Sequence, residues 1–370
     1  MKIALVSTGL GRIRRGFESF TESLFQAVRQ QAPQIEVTLF RGGGTRRERQ
    51  VVVPNFHRNG IPARWAGPDK GNLLEKRSFA LGLYPLIRGG RYDIVHYNEL
   101  VMGSALFHLR RFFGGRFKLL YCNGAPAPPS LYAHRCDYTQ ILTDPAYQEA
   151  REFGIGAGRL FLLPYGVNEK TFMPRNGAIR SESRRELGVP EDAQVVLTMA
   201  ALNRWHKRID YAIREVSRLD DSVWLVAAGQ RTAETTSLEE EAERLLPGRW
   251  RFVSWPYERV RWLYGAADVF VLSSLSEGFG LVIIEAMLSG LPVIIHKAPV
   301  FQWIAGESDV QLIDMTIDGE LANTLKIILS RSLRSNARDH ALRRYSWEVL
   351  IPEYLRMYGK ISQEGRGSGL

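Results

Sequence analysis

At 370 residues the chain is long enough for two domains, because a single hydrophobic core stops growing at roughly 250–300 residues. Hydrophobic residues make up 45% and charged residues 24%, which is ordinary for a soluble globular protein, and no apolar run approaches the roughly 18 residues that a transmembrane helix needs. The net charge of +10 is unevenly placed, since residues 1–175 hold 25 Lys and Arg against 13 Asp and Glu.

This excess of +12 in one half indicates a surface that faces an anionic partner. A phospholipid surface, a lipid-phosphate acceptor and an acidic glycan all fit, and so does an excess that serves solubility alone. Nucleic acid is not predicted, because the basic residues are not interleaved with aromatic residues on a known binding module. Cys122 and Cys136 lack metal-site spacing and predict reduced thiols in a cytoplasmic protein, with a transient disulfide left open.

Strands and helices alternate along the first half. The N-terminal residues predict a strand and not a signal peptide, because the apolar run is short and runs into Arg12 and its basic neighbours. A helix is predicted at 17–31, where apolar residues recur with helical spacing. The strands predicted here are 3–7, 35–40, 94–97, 117–121, 141–143 and 160–163. This alternation predicts a parallel, doubly wound α/β sheet.

A second set of strands follows, with helices between them. These strands are predicted at 195–199, 223–228, 251–253, 269–272 and 293–295. A final helix is predicted at about 347–361. The sequence therefore predicts two sheets in succession.

The segment from Ser276 to Val293 carries the strongest chemical signal. It follows the apolar strand 269–272, and glycines 278 and 280 let backbone N–H groups approach a ligand closely. The helix that starts near Gly280 directs its positive end at the same place, which suits a phosphate or diphosphate. Glu285 lies within that helix and reaches back toward its start, where a carboxylate can accept two hydrogen bonds from a vicinal diol. Phosphate beside a diol is what a nucleotide-sugar presents.

The pattern resembles the signature of retaining GT-B glycosyltransferases of family four. It has Glu277 and Glu285 separated by seven residues, Gly-Phe-Gly after the first Glu, then Glu-Ala-Met and Gly-Leu-Pro-Val. The resemblance implies that the first Glu and the amides after it hold the donor sugar, whereas the second Glu holds the ribose. In this chain those roles fall on Glu277, Gly278, Phe279, Gly280, Leu281 and Glu285.

The same resemblance implies a GT-B fold, with two Rossmann-like doubly wound domains facing across a cleft. The segment from Leu163 to Asn168 is similar to the one that joins the two domains in that family. We therefore expect an acceptor-binding domain at 1–166, a donor-binding domain at 167–346, and a C-terminal helix at 347–370 that returns to the first domain.

The leaving diphosphate needs cationic stabilisation as its charge develops. Lys207 and Arg204, which follow the strand 195–199, resemble the Lys and Arg that serve this purpose in the family. The usual spacing would place the Arg at position 202, which is Leu202 here. Arg208 is adjacent to Lys207 and is an alternative candidate for the role of the Lys. The Asp-x-Asp pair of metal-dependent sugar transferases has no match, so no metal and no cofactor is expected.

Residues of the first domain complete the predicted site. The glycine loop 9–16 follows the first strand, and the family carries Gly-Gly-x-Glu where this chain has Arg15, Gly16, Phe17 and Glu18, so Gly16 is expected to meet the donor phosphate. His96 ends a strand at the carboxyl edge and, with Asn123, is expected on the acceptor side, with a purely structural role for His96 as the alternative. Asn123 stands where many relatives carry a His, and we expect it to shape the site.

We therefore expect an enzyme that moves a sugar, with retention and by a front-face route, from a UDP- or GDP-sugar to a hydroxyl group. The acceptor is expected to be a glycan, a lipid-linked compound or a small molecule. The protein is expected in the cytoplasm, with the inner face of the membrane as a further site. The alternative is a catalytically silent sugar-nucleotide-binding protein or a membrane-associated scaffold of the same fold.

Overall fold

A computed structural model describes residues 1–13, 16–58, 60, 67–125, 127–174, 177–330 and 335–364. The chain forms two compact units. Unit 1 comprises Met1–Gly166 together with the segment that begins at Trp347, and unit 2 comprises Val167–Ser346. The sequence predicts the same residue limits, whereas the assignment of acceptor binding and donor binding to the two units stays a prediction. In the part of the chain that is described, no helix is both long and apolar enough to cross a membrane.

Unit 1 is built on a seven-stranded parallel sheet with the order β3-β2-β1-β4-β5-β6-β7. Its strands are β1 Lys2–Ser7, β2 Glu36–Arg41, β3 Gln50–Val52, β4 Ile94–Tyr97, β5 Lys118–Asn123, β6 Tyr138–Ile141 and β7 Leu160–Leu162. Most of their residues are buried, and those of β4 and β6 are buried throughout, as expected for a parallel sheet that is covered on both faces.

The described part of unit 1 contains five α-helices. They are α1 Gly16–Gln31, α2 Pro68–Gly89, α3 Leu100–Phe113, α4 Asp144–Glu152 and, at the end of the chain, α13 Trp347–Glu364. The helix α13 packs on the rest of unit 1 through aromatic side chains: Trp347 lies near Phe20, and the Tyr354 hydroxyl accepts a hydrogen bond from Gln140 at 2.7 Å. The last helix therefore completes the core of the unit in which the chain begins, and residues 365–370 of the expected C-terminal segment lie outside the described part.

Unit 2 has a six-stranded parallel sheet with the order β10-β9-β8-β11-β12-β13. Its strands are β8 Gln194–Met199, β9 Val223–Ala228, β10 Trp250–Val253, β11 Val269–Leu272, β12 Val293–His296 and β13 Gln311–Ile313. Its helices are α5 Gly177–Leu187, α6 Ile209–Val216, α7 Thr235–Leu245, α8 Val260–Ala266, α9 Leu281–Leu288, α10 Pro299–Ala305, α11 Glu320–Leu329 and α12 Ala337–Tyr345.

Three strands differ from the sequence-based expectation. The strand expected at 141–143 lies earlier, at Tyr138–Ile141, because Thr143 already precedes the helix α4 as its N-cap residue. The edge strands β3 and β13 were not predicted. Each has three residues, too few for an alternating or continuous apolar pattern to stand out.

Both sheets reverse their strand order beside the first strand of the unit. In unit 1 this switch point lies between β1 and β4, and in unit 2 it lies between β8 and β11. Loops that leave the carboxyl ends of two such strands diverge and open a crevice, which is where doubly wound sheets bind ligands. The fold therefore points to the loops after β8 and β11.

Candidate active site

Two loops of unit 2 meet at its switch point. The first, 200–208, joins β8 to α6, and the second, 273–280, joins β11 to α9. Because β8 and β11 are paired in parallel, with Val196 opposite Val269, both loops leave the sheet at the same edge. The predicted residues Lys207 and Glu277 lie on these two loops.

Lys207 and Glu277 form an ion pair in which the ammonium group donates to the Glu277 carboxylate. About one seventh of each side chain is exposed, at 16% and 13% respectively. The Lys207 loop is fixed from two sides: Oδ1 of Asn203 accepts the Lys207 backbone N–H at 2.8 Å, and Ser273 Oγ donates to the Lys207 carbonyl at 3.1 Å. The structure therefore brings these two predicted residues together in a defined, partly buried arrangement.

The start of α9 lies directly after Glu277. Gly280 precedes the helix as its N-cap residue with φ of +80°, a conformation that an L side chain rarely adopts, and no side chain caps the helix. The first N–H groups of an uncapped helix lack partners within the helix and suit an anionic ligand. Gly278 and Leu281 are partly exposed, whereas the Phe279 ring is buried against Trp303 and Tyr345. Phe279 can therefore contribute its backbone amide, while its ring anchors the loop.

Glu285 lies inside unit 2 with 5% of its surface exposed. The Tyr264 hydroxyl, on α8, donates to Glu285 Oε2 at 2.7 Å. Burial raises the pKa of Glu285 to about 7, while the hydrogen bond from Tyr264 opposes that shift. A carboxylate that is held in this way lies one and a half turns from the helix start, where it can accept hydrogen bonds from a diol.

Arg204 and Arg208 do not join the Lys207–Glu277 pair. The Arg204 guanidinium contacts Glu241 of α7, and its second terminal nitrogen donates to the Ser237 carbonyl at 3.1 Å. The Arg208 guanidinium donates to the Met315 carbonyl at 2.7 Å. The expected role of Arg204 on a diphosphate is thus not supported by its placement, because its guanidinium is held against α7 and not beside Glu277. This leaves Lys207 as the cation that the loop supplies beside Glu277.

Gly16 is the exposed first residue of α1 in unit 1. Arg15, which precedes it in the expected motif, lies outside the described residues. The loop after β1 is closely packed: a Cβ atom on Gly9 would lie 2.3 Å from Glu18 Oε1. Beside it, Glu99 Oε2 accepts the backbone N–H of Thr8 at 2.8 Å across the switch point. Gly11 of the same loop has φ of +89°, and a Cβ atom on it would lie 2.2 Å from the Gly43 carbonyl oxygen. Gly9 and Gly11 are thus sterically required, whereas a contact of Gly16 with phosphate stays a prediction.

His96 differs from the expectation of an acceptor-side residue. It is 3% exposed, and its Nδ1 lies 2.8 Å from the Tyr358 hydroxyl of α13. Burial lowers the pKa of His96 to about 3. On β4 it faces the helix layer that contains α13 and not the carboxyl edge. Its placement therefore indicates a role in packing α13 onto the sheet.

Asn123 is the last residue of β5 and is largely buried. Its Oδ1 lies 3.4 Å from the Tyr121 hydroxyl. The next residue, Gly124, approaches Tyr165 so closely that a Cβ atom would lie 1.8 Å from the Tyr165 oxygen. Asn123 thus stands at a crowded strand end, which fits a residue that shapes its surroundings.

Sequence reasoning missed the residues that position this site. Asn203 and Ser273 hold the Lys207 loop, and Tyr264 holds Glu285. Tyr264 lies 21 residues before Glu285, on a different helix, so no spacing pattern connects them. Asn203 offered a weak signal, because an Asn that follows a strand by a few residues often accepts hydrogen bonds from the backbone of a turn.

Comparison with known proteins agrees with this geometry. Residues 179–344 match the family described as glycosyl transferases group 1. The D-inositol 3-phosphate glycosyltransferase of Corynebacterium urealyticum is 29% identical over 242 residues, which cover 60% of this chain and 56% of that protein. The match thus spans little more than half the length of this curated relative.

Solved structures resemble the chain over almost its whole length. Sucrose-phosphate synthase from Thermosynechococcus elongatus has a TM-score of 0.80 at 21% identity, covering 97% of this chain and 98% of that chain. HepE (Alr3699) from Anabaena, in complex with UDP and glucose, has a TM-score of 0.77 at 18% identity, covering 97% and 99%. These likenesses confirm the predicted α/β fold of the GT-B type.

Proposed function

We propose that this chain, whose residues 179–344 match the glycosyl transferases group 1 family and whose fold is of the GT-B type, transfers a sugar from a nucleotide-diphosphate donor to an acceptor hydroxyl. The observation that carries the proposal is the contact of Lys207 with Glu277 beside the uncapped start of α9. A cation, a carboxylate and the backbone amides of a helix start, all at one sheet edge, match the parts of a nucleotide-sugar. HepE, a structural neighbour, was crystallised with UDP and with UDP-glucose, which supports this choice of donor.

Each part of the donor has a proposed partner. The diphosphate binds the amides of Gly278 to Leu281 and the ammonium group of Lys207. Glu277 binds hydroxyl groups of the donor sugar, and Glu285 accepts hydrogen bonds from the ribose diol. In the donor complex the Lys207 ammonium group lies near two anionic groups, the diphosphate and the Glu277 carboxylate. The diphosphate then replaces part of the contact between Lys207 and Glu277.

The proposed reaction retains the configuration at the sugar carbon. The bond between that carbon and the leaving phosphate oxygen breaks, and the acceptor oxygen attacks from the same face. The acceptor proton passes to the departing phosphate oxygen, so no separate base is required. Lys207 and the amides stabilise the charge that develops on the diphosphate. Analysis of the anomeric configuration of the product by NMR tests this part of the proposal, and an inverted product contradicts it.

Metal independence is part of the proposal. Lys207 supplies a positive charge at the place where a divalent ion would otherwise neutralise the diphosphate. Transfer should continue at an unchanged rate after treatment with EDTA and desalting. A loss of activity that added Mg²⁺ or Mn²⁺ restores would show that a metal ion takes part.

Acceptor binding is assigned by the proposal to unit 1, and the acceptor is a glycan, a lipid-linked compound or a small molecule. The protein is proposed to act in the cytoplasm, at the inner face of the membrane when the acceptor is lipid-linked. The two cysteines, Cys122 and Cys136, are free and buried, which agrees with a reducing compartment. Fractionation of host cells under low-salt conditions tests this location.

A panel of UDP-, GDP- and ADP-sugars tests the proposal most directly. A true donor binds the folded protein and raises its melting temperature, because a ligand that binds the native state alone stabilises it. Glu285→Ala should weaken that donor by roughly tenfold or more, since it removes hydrogen bonds to a charged group. Arg231→Gln in unit 2 is a suitable control, because Arg231 pairs with Glu239 at the surface. Absence of any stabilisation across the whole panel contradicts the proposal.

A catalytically silent sugar-nucleotide-binding protein is the second candidate. Leu202, where the family carries an Arg, is fully buried in the core, and Arg204 is engaged by Glu241. Both observations reduce the positive charge around the diphosphate. Transfer of radiolabel from the donor into extracts of host lipids and glycans separates the two candidates, because a silent protein binds the donor but labels no product.

A further inference from the structure

The surface of unit 1 at the C-terminal end of α3 combines exposed aromatic rings with positive charge. Phe112 is 77% and Phe113 61% exposed, and Arg111 and Arg116 beside them are also exposed. Residues 100–118 include four Lys and Arg and no Asp or Glu. Two adjacent Phe rings in water are unfavourable unless they meet another apolar phase, because burial of such a ring is worth about 1.5–3 kcal/mol.

A groove of about 500 Å³ leads away from this helix end along α2 and α3. Its apolar lining includes Leu73, Val101 and Leu131. Its basic lining includes Arg77, His108 and Arg135. An apolar floor with a cationic rim matches an amphiphile that has an anionic head group.

Exposed apolar side chains continue along α2 and α3 beyond the groove. On α2, Leu81 follows Arg77 by one helical turn and is 61% exposed. On α3, Phe112 follows His108 by one turn. Residues four apart lie on the same helix face, so both helices extend the groove toward the exposed rings. We call this region the basic–aromatic surface: the groove between α2 and α3, Leu81, and residues 111–116.

We propose that the basic–aromatic surface docks unit 1 onto an anionic phospholipid bilayer. Phe112 and Phe113 insert between the head groups, Arg111 and Arg116 contact lipid phosphates, and the groove accommodates an acyl chain. Charge complementarity favours an anionic bilayer as the binding partner, since each Lys or Arg near an anionic leaflet strengthens binding to it. Rings that protrude from a helix end suit a deformable hydrocarbon phase better than the flat surface of an acidic protein.

The position of the groove adds a consequence for the proposed reaction. One end of the groove is lined by Leu100, the first residue of α3. Leu100 follows the carboxyl end of β4 by three residues. That edge of the unit 1 sheet is where a doubly wound fold binds ligands. A membrane at this surface would therefore present lipid-linked acceptors near that edge. This last point rests on the proposed function, whereas docking itself does not.

Vesicle flotation tests docking without any sugar donor. The full-length protein is mixed with phosphatidylcholine vesicles, or with vesicles that also contain phosphatidylglycerol, at low and at high salt. The test variant is Phe112→Ser/Phe113→Ser. The matched control is Ile317→Ser/Ile327→Ser, which removes two side chains of unit 2 that are 54% and 53% exposed. Melting curves show that each variant is folded.

The wild-type protein and the control should float with the anionic vesicles at low salt and less at high salt. The Phe112→Ser/Phe113→Ser variant should lose binding by about tenfold or more. Arg111→Gln/Arg116→Gln, which keeps both rings, should lose about as much, and it carries the test if the first variant does not fold. Donor-induced stabilisation should persist in both variants, which separates a failure of docking from a failure of the proposed function.

Two results overturn the proposal. One is equal flotation of the wild-type protein and both variants, and the other is no flotation of the wild-type protein with anionic vesicles at low salt. Light scattering after gel filtration distinguishes a different use of the same surface. A wild-type dimer that the Phe variant converts to a monomer, without vesicle binding, would assign the surface to self-association.

Discussion

The contact between Lys207 and Glu277 holds the Lys207 ammonium group in a fixed position. Asn203 and Ser273 fix the Lys207 backbone, and Glu277 fixes the ammonium group. A charge that is already oriented needs little reorganisation when negative charge develops nearby, which is why such groups contribute strongly to catalysis. Arg208, one residue further on, has its guanidinium on the Met315 carbonyl instead.

Lys207→Gln should therefore reduce kcat/KM by about 10²–10³, the loss that follows removal of one preorganised donor at developing charge. Affinity for the nucleoside diphosphate should fall much less, because the amides and Glu285 remain. Steady-state kinetics and calorimetric titration measure the two effects. Arg208→Gln is the matched control and should retain near-normal turnover. Equal losses in both variants would show that the basic turn acts by its overall charge.

Glu285 makes the stability of the protein depend on pH. Its folded-state pKa of about 7 lies above the ordinary value of 4.5, so the folded protein binds more protons than the unfolded chain between these values. The free energy of unfolding should therefore fall as pH rises from about 4.5 through 7. The contribution of this group to that fall is at most about 3 kcal/mol. Denaturant unfolding at pH 5 and pH 8.5 measures the difference.

Glu285→Gln is the control for this effect, because the amide keeps an acceptor for the Tyr264 hydroxyl but does not titrate. The variant should lose less stability over the same pH range than the wild-type protein. Parallel pH curves for the two proteins would show that the dependence comes from other groups. Donor affinity should also rise through pH 7 in the wild-type protein alone, since the carboxylate is the better acceptor for a diol.

At the scale of elements, the turn from β11 into α9 depends on one backbone conformation. Gly280 has φ of +80°, and a Cβ atom there would lie 2.8 Å from Ile283 Cδ1. Gly290, at the other end of the same helix, has φ of +73°, but the nearest atom to its Cβ would be 3.7 Å away. The two glycines share a left-handed conformation, which is strained for other residues, and they differ in the space around them.

Gly290→Ala should lower the free energy of unfolding by about 1–2 kcal/mol, the cost of a left-handed conformation for an L residue. Gly280→Ala should lower it by more, because the methyl group also displaces Ile283. It should weaken nucleotide binding as well, since the displaced helix start carries the amides of the site. Chemical denaturation and titration with the nucleoside diphosphate check both outcomes. Normal binding by Gly280→Ala would exclude the helix start from the site.

The same comparison shows which parts of the site the sequence could reveal. Glu277, Gly280 and Glu285 lie within nine consecutive residues, so local chemistry alone indicates a phosphate and a diol site. The ion pair of Arg204 with Glu241 joins two elements across 37 positions, and nothing in the residue pattern predicts it. Likewise, His96 lies on a strand as predicted, but Tyr97 ends that strand, and the burial of His96 by α13 is set by packing across 262 positions.

At the scale of the whole molecule, the packing of unit 1 depends on the C-terminal helix α13. The chain leaves unit 1 after Gly166 and re-enters it at Trp347. The two residues are in contact, since a Cβ atom on Gly166 would lie 2.4 Å from the Trp347 ring. Further along α13, Tyr354 donates a hydrogen bond to the Pro164 carbonyl at 2.9 Å. The α/β alternation predicts the two sheets well, whereas this closing contact depends on shape and is not encoded in any local period.

Trp347→Ala should therefore destabilise unit 1 selectively. The ring is 3% exposed and its Nε1 donates to Ser23 Oγ at 2.6 Å, so truncation should cost about 3–5 kcal/mol. Hydrogen exchange read by mass spectrometry should show faster exchange in peptides of unit 1 and little change in unit 2. Trp303→Ala, which removes a ring that packs near Phe279, is the reciprocal control and should affect unit 2. Because the proposed donor site lies in unit 2, Trp347→Ala should still bind the nucleoside diphosphate; loss of exchange protection throughout both units would instead show that they unfold together.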